Sequence, residues 1–94
     1  MPYIVADHFV ADAERFWSGA AAAVPNLPAG VTLHATYPQH DGLRAICLWE
    51  ADSVEAVRKI VEDSVGGSAR NEFFEVDSQH AFALGLPARA RATT

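Results

Sequence analysis

The chain has 94 residues, half of them apolar and a fifth charged, with a formal net charge of -5. That is the balance of one small globular domain, and it excludes disordered and fibrous classes. The seven Lys and Arg form no basic patch, which excludes a phosphate-binding partner such as nucleic acid.

Tyr3 to Val10 is rich in β-branched and aromatic residues and reads as a first strand. Asp12 follows as the cap of a helix whose apolar residues recur at Ala13, Phe16, Trp17, Ala20 and Val24, the spacing of one helical face. Pro25 ends it, because its ring removes a donor and pushes the preceding residue to an extended conformation. Gly19 inside this helix is expected to mark a close approach to the sheet.

Val31 to Tyr37 and Arg44 to Glu50 read as two strands joined at Asp41-Gly42, a strong hairpin signal. Asp52 or Ser53 then caps a second helix, with Glu55 placed as in a capping box after Asp52. Val54, Val57, Ile60, Val61 and Val65 form its apolar stripe, and Gly66-Gly67 stops it. Glu72 to Val76 supplies a fourth strand, with Glu72 and Glu75 suited to an exposed edge. The form of Ala81 to Leu86 is open. The expected fold is therefore α+β, a ferredoxin-like βαββαβ domain over residues 1–86 with a flexible C-terminal tail at 87–94. Four antiparallel strands would form one sheet with both helices on one face.

No apolar run approaches the roughly 20 residues that span a bilayer, and the N-terminal residues lack the basic stretch of a secretory signal. The lone cysteine, Cys47, has no second thiol for a disulfide or a Cys-x-x-Cys pair. A cytoplasmic protein with no membrane partner is expected.

With Asp41 and Gly42 at the turn, the hairpin register pairs Tyr37 with Ile46, Thr36 with Cys47, Ala35 with Leu48 and His34 with Trp49. Leu33, Ala35, Tyr37, Ile46 and Leu48 then lie under the helices. His34, Thr36, Ala45, Cys47 and Trp49 form the other face, with a contribution from Phe73 or Phe74. An apolar sheet face of this kind predicts a homodimer with a partly polar space between the stacked sheets.

The element order from Tyr3 to Val76 resembles the dimeric α+β barrel superfamily. That group includes cofactor-independent antibiotic-biosynthesis monooxygenases, haem-degrading monooxygenases and small stress-responsive proteins. More narrowly, Leu33-His34-Ala35-Thr36-Tyr37, Asp41-Gly42, Cys47-Leu48-Trp49-Glu50-Ala51 and Ser53-Val54-Glu55-Ala56-Val57 resemble small bacterial domains of unknown function, some of which bind nickel. Haem-degrading members use a Trp with an Asn and a His, whereas the first strand here offers Asp7 and His8 and no Asn.

The leading expectation is a small organic ligand in the cleft between sheet and helices, with cofactor-independent monooxygenase or isomerase activity as the chemistry the resemblance implies. His34 is the candidate catalytic base near neutral pH. Trp49 would stack on the ligand, and Tyr37, His8 and Cys47 would complete the lining. The bland reading of His34 is an interface histidine, and that of Cys47 a buried small hydrophobe. The alternative is a metal protein with His8 and His34 as ligands, nickel being the ion the resemblance implies. A third reading is a structural or regulatory dimer without catalysis.

Overall fold

The computed structural model describes residues 1–84. The expected tail at 87–94 and the end of the Ala81 to Leu86 segment lie outside the described residues. Four strands, β1 (Tyr3–Val10), β2 (Thr32–Pro38), β3 (Arg44–Glu50) and β4 (Ala69–Glu75), form one antiparallel sheet in the order β2-β3-β1-β4. Helices α1 (Ala13–Ala23) and α2 (Val54–Val65) follow β1 and β3, which gives the expected α+β ferredoxin-like order. Among the described residues, no helix is long and apolar enough to cross a membrane.

Local chemistry places the helix ends. Asp12 accepts a hydrogen bond from the Arg15 N–H at 3.1 Å and starts α1. Ser53, rather than Asp52, caps α2 by accepting from the Ala56 N–H at 3.1 Å. Glu55 consequently sits inside the first turn and pairs with Arg58 instead of closing a capping box. Pro25 falls within a 3-10 turn, Val24–Asn26, that continues the chain beyond α1. Gly19 does mark a close approach, but to the other helix: a Cβ there would lie 2.7 Å from the Ser64 carbonyl oxygen of α2.

The helices cover the opposite face of the sheet from the one expected. On β1 the covered residues are Ile4, Ala6, His8 and Val10, and on β3 they are Ala45, Cys47 and Trp49, all buried. Ile46 and Leu48 point away from the helices, as do Ala35 and Tyr37, and Tyr37 is 67% exposed. The physical reason lies in the flanks: Arg44 and Glu50 share the alternation of Ile46 and Leu48, so that face carries the charges. Residues 45, 47 and 49 are all uncharged and buried, and Cys47 and Trp49 belong to the core cluster.

Register follows the expected pairing from Pro38–Ala45 through Ala35–Leu48 and then breaks. Leu33, not His34, sits opposite Trp49, because His34 is the extra residue of a β-bulge. The bulge reverses the alternation beyond it. Leu33 turns under the helices beside Trp49, and His34 turns outward.

Candidate functional site

Between α1, α2 and the covered face of β3 lies a cavity of about 410 Å³. Its walls include the rings of Phe16, Trp17 and Trp49 and the side chains of Leu27, Leu33 and Val61. No Lys, Arg, Asp or Glu lines it. The wall is built by ordinary patterning: α1 contributes its i, i+4 face and the 3-10 turn adds Val24 and Pro25 at one rim. The size falls in the range of small-molecule sites.

Most polar groups of the wall are already engaged. The Trp17 indole donates to the Gly42 carbonyl at 3.1 Å, which ties α1 to the β2–β3 turn. Ser64 donates its hydroxyl to the Ile60 carbonyl at 2.7 Å within α2. Thr36 Oγ1 lies 3.4 Å from Cys47 Sγ. Burial pushes the Cys47 thiol up from its ordinary pKa, against a smaller lowering by the Thr36 contact, which favours the neutral thiol.

Two ring nitrogens are not engaged. Trp49 is 5% exposed, and its Nε1 is enclosed without a hydrogen-bond partner, the one such atom among the described residues. His8 is 2% exposed and lines the same cavity, with its ring centroid 5.1 Å from that of Phe16. Its Nδ1 lies 2.7 Å from Asn71 Oδ1 on β4, the residue directly opposite in the register. Asn71 Nδ2 in turn donates to Glu62 Oε2 of α2 at 3.3 Å. The His8 pKa is lowered from its ordinary 6.5, chiefly by burial, against raising contributions from the Asn71 hydrogen bond and the charges of Asp7 and Glu62.

The sequence-predicted residues therefore divide. Trp49, His8 and Cys47 meet in the cavity wall. His34 and Tyr37 do not. His34 Nε2 contacts Glu50 Oε1 at 2.9 Å and its ring lies 5.4 Å from that of Tyr3, on the sheet face that the helices leave bare. Trp49 and His34 occupy opposite faces, so the pocket expected to contain both does not exist. Tyr37 stands beside a shallower depression with Arg44 and Ile46.

The same division bears on metal ligation. His8 faces α1 and His34 faces away from it, so the two cannot ligate one ion within one chain. Among the described residues no group of three His, Cys, Asp or Glu side chains converges.

Asn71 and Glu62 escaped the sequence reading. The fourth strand was expected to begin at Glu72, whereas it begins at Ala69. The polar run Ala69-Arg70-Asn71 carries no apolar alternation, yet its pairing with β1 sets Asn71 beside His8. No protein-family model matches the chain, and neither a curated protein nor a solved structure does.

Proposed function

We propose that this protein binds a small, neutral, largely apolar organic molecule in the cavity between its helices and its sheet. The observation that carries this reading is the wall itself: about 410 Å³ of space bounded by aromatic and aliphatic side chains and by no formally charged group. A carboxylate or phosphate placed there would be desolvated without a counter-charge, at a cost far above what its apolar contacts return. A flat hydrocarbon body meets the Trp17, Trp49 and Phe16 rings instead. Turnover by His34 has no support from this geometry, since that side chain faces away from the cavity.

Titration calorimetry with naphthalene and with 2-naphthoate tests the reading. Naphthalene is expected to bind and the naphthoate to bind at least tenfold more weakly. Ala20→Phe, on the cavity side of α1, is expected to fill the space and abolish naphthalene binding while the fold persists. Binding that Ala20→Phe leaves unchanged would place the ligand elsewhere.

Self-association is supported by a separate observation. The bare face of the sheet carries an apolar row, Ala35, Leu48, Val5 and Phe74, that crosses all four strands in register. The likeness to dimeric α+β barrels leads to the same expectation of a second copy of this chain on that face, and the covered face holds the ligand cavity independently of it.

A further inference from the structure

We propose that His8 is the cavity's specificity determinant, with Nε2 accepting a hydrogen bond from a hydroxyl of the bound molecule, so that the ligand class is a neutral apolar alcohol or phenol. This rests on the cavity reading above and adds the polar group that the occupant must carry. Three observations build the site.

The first is tautomer. Glu62, as a carboxylate, only accepts hydrogen bonds, so the group of Asn71 that faces it is the amide NH₂. The carboxamide oxygen is thereby turned to His8, and Nδ1 must donate to it. A neutral imidazole with its proton on Nδ1 has a lone pair on Nε2. Burial favours that neutral form.

The second is access. Nε2 has no hydrogen-bond partner among the described residues, and it is not an enclosed atom, Trp49 Nε1 alone being both unpaired and enclosed. His8 is itself a wall residue of the cavity, and we place its free lone pair on that space. The third is contrast with the rest of the wall. The Trp17 indole and the Ser64 hydroxyl are tied to backbone carbonyls, and Thr36 lies beside Cys47. An acceptor held by two successive hydrogen bonds in an otherwise apolar wall selects for a donor, because a ligand lacking one leaves the nitrogen unsatisfied.

Calorimetry with 2-naphthol and 2-methoxynaphthalene measures that selection, since the two differ in whether the oxygen can donate. The wild-type chain is expected to prefer 2-naphthol about fivefold, the worth of roughly one net hydrogen bond. His8→Phe is expected to reverse the order of the two probes. Asn71→Leu, which leaves His8 in place but frees its tautomer, is expected to shrink the preference. Nitrogen chemical shifts of His8 in the unsubstituted protein should show Nδ1 protonated and Nε2 bare, a readout that needs no variant to fold. Equal affinity for the two probes, or an Nε2-protonated ring, overturns the role of His8 and leaves the cavity reading intact. Failure of naphthalene itself to bind overturns both.

Discussion

Protonating His8 in the folded protein places a positive charge among apolar side chains, and burial opposes it. Phe16 from α1 and Asn71 from β4 face the ring, and the charges of Glu62 on α2 and of Asp7, on the other face of its own strand, act on it from further off. The acidic neighbours and the Asn71 hydrogen bond only partly offset the desolvation. The unfolded chain therefore takes up the proton more readily than the folded one. Stability is unaffected by His8 above its ordinary pKa of 6.5 and is lost as pH falls from there towards the lowered folded value. A single proton sets a slope of at most about 1.4 kcal/mol per pH unit. Urea midpoints measured between pH 7.5 and 5 are expected to decline in the wild type and to decline less in His8→Phe. Asp41, whose pKa is lowered from 3.8 by the Leu43 N–H and the Gln39 amide, loses its contribution only in a more acidic range. Equal pH dependence in the two proteins would show that the histidine is not buried neutral. The identity of His8 as a cavity residue was legible from its strand, but its partner was not. An exposed-edge strand with Ala-Arg-Asn at its start has no apolar period to reveal it, and only the β1–β4 register joins the two.

At the scale of elements, the interface between α1 and α2 is governed by Gly19. Ala is normally the better helix residue by about 1 kcal/mol. Here its methyl group would meet the Ser64 carbonyl oxygen at 2.7 Å and the Val65 side chain at 3.3 Å, and a backbone oxygen cannot rotate aside. Gly19→Ala is expected to lower stability by about 1–3 kcal/mol, the overpacking range, in chemical denaturation. A stabilised Gly19→Ala protein would mean that the helices stand further apart than described. The two helices, the hairpin and the sheet order were legible because apolar period, caps and the Asp41-Gly42 turn agree with one another. Which face the helices cover was also legible, in the charges that Arg44 and Glu50 place on the side of Ile46 and Leu48. The weight given to an apolar Trp49 face as an interface hid that signal. The bulge at His34 was not legible. An extra residue in a strand leaves each flanking segment with a sound alternation, and only the partner strand discloses the slip.

For the whole molecule, the consequence of helices on one face is a sheet whose other face has no cover within the described chain. Along its middle, Ala35, Leu48, Val5 and Phe74 stand opposite one another on successive strands, and Phe74 is 57% exposed. On one side of the row the charged residues pair within the chain, and on the other Glu50 contacts His34 at 2.9 Å. Arg44 pairs with Asp7 at 3.0 Å, Arg70 pairs with Glu72, and both arginines lie over the Phe9 ring. A two-fold stack of this face on itself would bring apolar rows together, which is the self-complementarity that a symmetric dimer requires. Sedimentation at tens of micromolar is expected to give twice the chain mass. Leu48→Glu places a carboxylate in the centre of the row, where a dimer would bury it unpaired, while in a monomer it meets only water. That variant is expected to sediment as a monomer with its far-ultraviolet circular dichroism and its naphthalene binding retained, because Leu48 and the cavity lie on opposite sides of the sheet. A wild-type monomer at that concentration, or a Leu48→Glu dimer, would remove this face as the site of association. Loss of naphthalene binding on dissociation would show instead that the second copy helps to close the cavity.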